Sequence, residues 1–307
     1  MLSRAQGCFM GQLAGDSLGS LVEFTPAAEI RRLYPEGVRA LADGGTWNTL
    51  AGQPTDDSEM ALMLARTLIR DRRFEPEAVR KAYRDWLDSR PFDCGGTVRS
   101  GLLGTPNPHS QANGGLMRIS PLGIFGAHRH IWDVAEWASQ DAALTHPHPI
   151  CRQASSLFVM ALARAIRSGC PPSTLYAGML LWAEHMNAEP PLRGALLDAA
   201  ITPPADFQRQ QGWVLVALRN ALWQLLHAPS LEQGVVDTVM RGGDTDTNAA
   251  ICGALLGAVH GLEAIPAQWK EKILHCRPEP RPGVVRPRPE VFWPGDALEL
   301  AQQLMKE

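Results

Sequence analysis

Glycines that recur at every fourth position are the feature of this sequence that most restricts its fold. Two such ladders occur, one near each end of the chain: Gly7, Gly11, Gly15 and Gly19, and Gly253, Gly257 and Gly261. Residues four apart lie on the same face of a helix, so each ladder predicts a helix with a groove that is free of side chains. Each interior glycine costs a helix about 1 kcal/mol relative to alanine. Close approach of two helix backbones would offset that cost, and glycine-rich loops are the alternative.

The rest of the chain is dominated by helical patterns. Five segments are rich in the strong helix formers Ala, Leu and Met: 57–70, 154–166, 175–186, 213–226 and 247–262. Clusters of β-branched residues are scarce, and prolines and glycines separate the segments. The pattern predicts an all-α fold, in which residues 1–307 form a single compact orthogonal domain of a dozen or more helices.

Prolines concentrate near the C-terminus. Residues 277–294 contain six of them, and proline cannot continue a helix. We therefore expect an extended proline-rich arm over 277–294, which crosses the surface and is anchored by Val291, Phe292 and Trp293. A short C-terminal helix over 296–305 is expected to follow it.

A composition of 45% hydrophobic and 20% charged residues is typical of a soluble globular protein. The formal net charge of −3 gives no basic field for a phosphate backbone, which disfavours nucleic acid as the main partner. The six cysteines are scattered singly, as reduced thiols usually are. The N-terminal segment is too poor in apolar residues for a signal peptide, and the longest apolar run, 249–259, is too short to span a membrane. We expect a cytoplasmic protein without membrane contact.

Two acidic clusters, 53–59 and 242–247, each lead directly into a predicted helix. One interpretation is that they only cap these helices, because Thr and Asp are preferred N-caps. However, each cluster supplies at least two carboxylates and two hydroxyls, which is more than one cap needs. Such all-oxygen ligands suit Mg²⁺ or Mn²⁺ rather than Zn²⁺. The second interpretation is therefore a two-metal site formed where two helix N-termini meet.

Four segments together resemble the ADP-ribosylglycohydrolases: 11–19, 23–24, 55–58 and 242–250. The resemblance extends from about residue 5 to about residue 262. It implies an all-helical fold, a pair of Mg²⁺ or Mn²⁺ ions, and hydrolysis of the N- or O-glycosidic bond that joins ADP-ribose to an acceptor. The metal ligands that the resemblance implies are Thr55, Asp56, Asp57, Asp244, Asp246 and Thr247.

The resemblance also implies two catalytic carboxylates. Glu23 falls where the family has an acidic residue near the reacting ribose, and Asp93 begins a segment similar to one in the arginine-cleaving branch. Gly96 stands where that segment has asparagine. Which of the two is the principal acid or base stays open, and Asp93 could instead cap the following helix.

Residues that touch the substrate are implied by two further segments. Residues 112–118 resemble the glycine-rich loop beside the ribose and diphosphate, which assigns substrate binding to Asn113, Gly114 and Gly115. Ala112 replaces the usual glycine there. His146 falls in the family's substrate-side histidine segment, whereas we expect His148 to be a surface residue.

The function implied by the resemblance is release of ADP-ribose from a modified protein, with arginine as the expected acceptor and two Mg²⁺ (or Mn²⁺) ions as cofactors. The expected partners are an ADP-ribosylated protein as substrate and ADP-ribose as product, and we expect a monomer. Two alternatives stay open. The first is hydrolysis of ADP-ribose linked to serine, nucleic acid or a small molecule, and the second is a binding or immunity protein that shields a target without turnover.

Overall fold

The N-terminal glycine ladder lies in the first helix of the protein, and Gly253 and Gly257 of the C-terminal ladder lie in the thirteenth. The computed structural model describes residues 1–306 and contains fifteen α-helices over that range. They are α1 (Leu2–Gly19), α2 (Ala27–Leu33), α3 (Asp56–Asp71), α4 (Pro76–Asp88), α5 (Gly96–Leu102), α6 (Ser120–Phe125), α7 (Ile131–Ala143), α8 (Pro149–Ser168), α9 (Pro172–His185), α10 (Pro190–Asp198), α11 (Val214–His227), α12 (Leu231–Val239), α13 (Thr245–His260), α14 (Ala267–His275) and α15 (Ala297–Leu304). Within residues 1–306 the backbone forms no strand, only three isolated β-bridges. The predicted all-α class is confirmed.

Helices α1 and α13 pack backbone against backbone. A Cβ atom built on Gly11 would lie 2.1 Å from the carbonyl oxygen of Gly253, and one on Gly257 would lie 2.0 Å from that of Gly7. No side chain fits at such distances, so the prediction of close helix contact is confirmed and the loop alternative is wrong. At one end of the contact, the Thr245 hydroxyl donates a hydrogen bond to the carbonyl oxygen of Gly19, 2.7 Å away.

Gly261 does not extend the second ladder as a helical residue. Its φ of 81° lies in the left-handed region, and it caps α13, which ends at His260. A glycine at this position relieves the steric strain that a side chain would suffer there. The helix predicted over 247–262 is therefore shifted towards the N-terminus, because the acidic cluster forms its first turn. Helix α3 extends one residue beyond the predicted 57–70 at each end, since it begins at Asp56 and ends at Asp71.

The hydrophobic core is one connected cluster to which all fifteen helices contribute side chains. Helices α1 and α13 are buried over almost their whole length, which is possible because small residues line their contact. Among the described helices, none combines the length and the apolar character that crossing a membrane requires.

The proline-rich arm differs from the expectation in two respects. It is not extended throughout, because short 3₁₀ turns form at Glu290–Phe292 and Pro294–Asp296. Phe292 is buried as expected, but the Val291 side chain is 40% exposed, and this residue attaches the arm through its carbonyl oxygen, which accepts from Arg66 Nε at 3.0 Å. The anchor that the sequence did not reveal is Arg288, which is buried and donates to both carboxylate oxygens of Glu59, 2.7 and 2.8 Å away.

Candidate active site

Three buried aspartates from three different helices converge beside the contact between α1 and α13. Asp16 lies in the last turn of α1, Asp57 in the first turn of α3 and Asp246 in the first turn of α13. One carboxylate oxygen of each lies within 4.8 Å of the others. Asp16 was not among the residues predicted from the sequence to belong to the site, although it stands beside Gly15 on the glycine ladder.

A second group of carboxylates meets the first at Asp246. Glu23, from the loop after α1, and Asp93, from the segment before α5, each place an oxygen within 4.8 Å of an oxygen of Asp246. The two groups therefore share one residue, and together they form a continuous acidic floor. We name the five residues the carboxylate floor: Asp16, Glu23, Asp57, Asp93 and Asp246.

The N-cap residues of the two acidic clusters do not cap their helices with side chains, although Asp246 Oδ1 accepts from the backbone amide of Thr247 in the first turn of α13. Thr55 and Asp244 occupy the N-cap positions of α3 and α13, and neither side chain accepts a capping hydrogen bond. Instead, Asp16 caps α3 from another helix, because its carboxylate accepts from the backbone amides of Thr55 (3.2 Å) and Ser58 (3.1 Å). Asp93 does not cap α5 either, since Gly95 holds that position. Side-chain capping from the N-cap positions is therefore contradicted for Thr55, Asp244 and Asp93, whereas the acids of both clusters do lie in the first turns of α3 and α13, where the helix dipole favours them.

Burial makes this group of carboxylates electrostatically costly. Desolvation, reinforced by the neighbouring carboxylates, raises the pKa of Asp57 and Asp246 well above the usual range. Desolvation also raises the pKa of Asp16 to about 7 and that of Asp56 to about 6. In addition, Asp57 Oδ1 and Asp246 Oδ2 are buried without a hydrogen-bond partner. Ionised oxygens in such a position need a cation, and the all-oxygen donor set fits a divalent metal.

The remaining predicted ligands surround this floor in different ways. The Thr55 hydroxyl is buried and donates to Asp16 Oδ1 at 2.8 Å. The Thr247 hydroxyl lies 3.4 Å from Asp57 Oδ2. Asp56 Oδ2 accepts from the backbone amide of Gly95 at 3.2 Å. The carboxyl of Asp244 follows two glycines with φ of 72° and 76°, which turn the backbone tightly before α13.

The two carboxylates predicted to be catalytic are protonated more readily than ordinary acids. Desolvation and the carboxylate of Asp244 raise the pKa of Glu23 to about 8. Desolvation and the carboxylate of Asp56 raise the pKa of Asp93 to about 9. Glu23 Oε2 accepts a hydrogen bond from Trp47 Nε1 at 2.5 Å, which leaves Oε1 free of that contact.

The glycine-rich segment forms a 3₁₀ turn over Asn113–Gly115. Asn113 fixes it to the acidic site, because its side-chain amide donates to Asp244 Oδ2 at 2.7 Å. A Cβ atom on Gly114 would lie 3.2 Å from His146 Nε2, and one on Gly115 would lie 3.4 Å from Nδ1. Both glycines therefore let the turn lie directly against the imidazole ring.

His146 is held in one tautomer by a buried network. Arg118, paired with Asp141 at 3.0 Å, also donates to the Thr145 hydroxyl at 2.9 Å. Among the described residues that contact the Thr145 hydroxyl, Arg118 only donates, and His146 Nδ1, 2.8 Å away, is the acceptor within reach of the hydroxyl proton. A proton directed to Nδ1 places the ring hydrogen on Nε2. Burial and the nearby Arg118 lower the pKa of His146 to about 3, so the ring is neutral. Nε2 itself is buried and has no hydrogen-bond partner.

His148 is not the plain surface residue that we expected. It is half-buried at the N-cap of α8, where its Nδ1 accepts from the backbone amide of Ile150 at 3.2 Å. Its role is structural, because it satisfies one of the free amides at that helix start.

These residues border a cleft of about 340 Å³. Ten of the twelve predicted site residues line it, whereas Thr55 and Gly115 lie behind the lining. Gln211 and Gly212 also line the cleft and were assigned no role from the sequence. Phe24, which the motif 23–24 included without a role, lines it as well. It is 54% exposed and has a φ of 61°, an unusual conformation for an aromatic residue.

Comparison with known proteins gives similar molecules over nearly the whole chain. In Rhodospirillum rubrum, the ADP-ribosyl-(dinitrogen reductase) glycohydrolase is 30% identical over 280 residues, which cover 88% of this chain and 90% of that protein. The ADP-ribosylarginine hydrolase Tri1 of Pseudomonas putida (strain GB-1) is 27% identical over 290 residues, covering 89% of this chain and 74% of that protein. A solved structure described as an ADP-ribosylglycohydrolase-related protein complex superposes with a TM-score of 0.81 at 27% identity, and covers 99% of this chain and 97% of that one.

The family-level match agrees with these relatives. The profile of a family described as ADP-ribosylglycohydrolase matches residues 1–306, which is the whole range that contains the glycine-laddered helices, both acidic clusters and the cleft between them. The chain therefore belongs to the ADP-ribosylglycohydrolase family.

Proposed function

We propose that this protein hydrolyses the glycosidic bond between ADP-ribose and a modified protein side chain, with arginine as the acceptor. The observation that carries this proposal is the carboxylate floor, two buried acidic groups that share Asp246 beneath an open cleft. The names of two relatives support it, because one acts on ADP-ribosyl-dinitrogen reductase and another on ADP-ribosylarginine.

The cofactors in this proposal are two Mg²⁺ (or Mn²⁺) ions. They would be held by Asp16, Asp57 and Asp246 on one side and by further oxygens of the two acidic clusters on the other: Thr55, Asp56, Asp244 and Thr247. When bound, such ions neutralise the buried carboxylates and supply Lewis-acid stabilisation of charge at the sugar.

Glu23 and Asp93 handle the proton in this proposal. Their raised pKa values of about 8 and 9 mean that each holds a proton near neutral pH in the metal-free protein. Because Oε2 of Glu23 accepts from Trp47, Oε1 is the oxygen left to exchange a proton with the leaving group or with water. The ionised carboxylates nearby would also stabilise the positive charge that develops on the sugar during glycoside cleavage.

Residues next to the acidic clusters bind the rest of ADP-ribose in this proposal. Asn113 and Gly114 line the cleft, and Gly115 completes the compact turn that packs against His146. His146 supplies a neutral Nε2–H, a donor without a partner in the protein, for an oxygen of the substrate.

The test is release of ADP-ribose from defined substrates by the purified full-length protein. We expect release from arginine-ADP-ribosylated protein in the presence of Mg²⁺ and none in excess chelator. Serine-linked ADP-ribose, ADP-ribosylated DNA and O-linked small molecules serve as parallel substrates. Faster release from one of these would contradict arginine as the acceptor, and the absence of release from all of them would contradict hydrolysis.

A further inference from the structure

Trp47 contacts Glu23 from a loop that belongs to neither acidic cluster. Its indole Nε1 donates to Glu23 Oε2 at 2.5 Å, and the Thr46 hydroxyl donates to the Glu23 carbonyl oxygen at 2.9 Å. The side chain of Glu23 is therefore fixed from the loop 46–47, which lies between α2 and α3 in the chain. An indole nitrogen only donates, so this contact occupies an oxygen of Glu23 in one defined orientation.

The loop is in turn held by the C-terminal arm. Arg286 Nε donates to the carbonyl oxygen of Trp47 at 2.9 Å. The guanidinium of Arg286 also lies 5.8 Å from the ring centre of Phe92, which itself lies 6.0 Å from the ring of Trp47. A series of contacts thus runs from Arg286 through Phe92 and Trp47 to the carboxylate of Glu23.

The arm is firmly attached where it makes these contacts. Gln53, the first residue of the acidic cluster 53–59, donates from Nε2 to the carbonyl oxygen of Arg286 at 2.7 Å. Two residues further, Arg288 forms its buried pair with Glu59, which lies on α3 itself. The arm is therefore attached to residues that precede and follow Asp56 and Asp57 in the chain. Arg286 makes one of these contacts with its carbonyl oxygen and contacts Trp47 with its side chain.

We propose that Trp47 is a positioning residue for Glu23 and that the proline-rich arm, through Arg286, keeps Trp47 in place. This inference rests on the proposed function, in which Glu23 exchanges a proton with the substrate. The physical reason is that Glu23 follows the end of α1 in a loop, and its carboxylate lies close to those of Asp93 and Asp246. The loop backbone leaves the flexible Glu23 side chain free to adopt other rotamers, and the Trp47 N–H holds its carboxyl group beside the floor.

The first variant that tests this inference is Trp47→Phe, which keeps a ring against Phe92 but removes the N–H donor. We expect kcat to fall by about 10-fold or more, the effect of losing a hydrogen bond to a carboxylate. The KM and the Kd of free ADP-ribose are expected to stay within about 2-fold, because Trp47 is not among the residues that line the cleft.

A second variant, Arg286→Ala, is expected to lower kcat as well, but by a smaller factor than Trp47→Phe does. The matched control is Arg281→Ala in the same arm, which removes only an exposed pair with Glu279 and is expected to leave kcat unchanged.

A double-mutant cycle separates positioning from general damage. If Trp47 acts through Glu23, the variant with both Trp47→Phe and Glu23→Gln turns over at the rate of Glu23→Gln alone. A further multiplicative loss in the double variant would overturn the inference, as would a wild-type kcat in Trp47→Phe. If Trp47→Phe unfolds, the cycle is measured with Arg286→Ala.

A spectroscopic measurement tests the contact independently of turnover. The indole N–H resonance of Trp47, assigned by its loss in Trp47→Phe, is expected to move when Glu23 is changed to Gln. An unmoved resonance would overturn the contact on which the inference depends. The absence of hydrolysis by the wild-type protein would overturn the proposed function, and this inference with it. Wild-type hydrolysis with unchanged kcat in Trp47→Phe would overturn this inference alone.

Discussion

At the scale of single residues, Asp246 has the most consequential position in the site. It belongs to both carboxylate groups, and its Oδ2 is buried without a partner. A buried carboxylate of this kind opposes folding unless a cation compensates its charge. The residue is therefore expected to matter for function and to be unfavourable for the stability of the metal-free protein.

Replacing Asp246 tests both expectations. Asp246→Asn is expected to abolish turnover, because it removes a negative charge shared by the two groups. In excess chelator the variant is expected to melt at a temperature about 2 °C or more above the wild type, since repulsion with Asp57 and Glu23 is relieved. Calorimetry and ADP-ribose release measure the two effects. Asp133→Asn, an exposed acid on α7, is the control, and a lower melting temperature for Asp246→Asn in chelator would contradict the electrostatic argument.

Glu23 and Asp93 are distinguished by a second pair of variants. Glu23→Gln and Asp93→Asn keep the shape of each side chain but remove its ability to exchange a proton. The principal acid or base is expected to lose about 10²–10⁴-fold in kcat, while the Kd of ADP-ribose changes little. Steady-state rates at saturating substrate identify the residue with the larger loss. Wild-type rates in both variants would show that neither one exchanges the proton.

At the scale of secondary-structure elements, the contact between α1 and α13 positions the site. These helices approach so closely that their glycines face backbone atoms of the partner helix. Asp16 and Asp246 lie at the end of this contact, where Thr245 is bonded to Gly19. A separation of the two backbones would therefore move the acidic residues apart, and local glycine spacing has a direct effect on the geometry of the site.

A larger side chain in the contact is expected to destabilise the protein. Gly257→Leu places a side chain where even a Cβ atom lies 2.0 Å from the carbonyl oxygen of Gly7. Overpacking costs about 1–3 kcal/mol or more, so the melting temperature is expected to fall by roughly 2 °C or more. Gly194→Ala is the matched control, because Gly194 lies in α10 and a Cβ atom there meets nothing within 4 Å. Its melting temperature is expected to rise with helix propensity, and a similar rise for Gly257→Leu would refute close packing.

At the scale of the whole molecule, the carboxylate floor couples stability to pH and to metal. Burial raises the pKa values of its members above those of the unfolded chain. The metal-free folded protein therefore holds protons that the unfolded chain has already released above about pH 4. Below that pH, these carboxyl groups make their full contribution to the free energy of unfolding. The contribution is lost as the pH rises through the folded pKa values, which reach about 8 for Glu23 and 9 for Asp93.

The corresponding measurement is the melting temperature between pH 5 and 9. In chelator, the difference between wild type and Asp246→Asn is expected to widen in favour of the variant as the pH rises. With Mg²⁺, the wild type is expected to gain stability as the pH rises, because metal binding requires ionised ligands. Thermal melts at matched ionic strength, with and without Mg²⁺, measure both trends. A stabilisation by Mg²⁺ that is independent of pH would contradict the participation of these groups.

Local patterns in the sequence determined the helices, the glycine-lined contact and the two acidic clusters. Helical spacing and residue type act over a few positions, so they can be read without knowledge of the fold. Family-specific motifs extended this to the carboxylates that face the cleft. Even so, the same sequence allowed two interpretations of Thr55 and Asp244, as caps or as site residues, because both uses favour the same residue types at a helix start.

Only the tertiary structure showed that the side chains of Thr55 and Asp244 do not cap α3 and α13, because the contacts that arrange these segments join residues far apart in the chain. Asp16 caps α3 from 39 positions away, and Arg288 pairs with Glu59 from 229 positions away. Likewise, the tautomer of His146 follows from Arg118 and Thr145, which meet only when the fold forms. No local pattern encodes such pairs, since burial and hydrogen-bond partners exist only after distant segments have packed together.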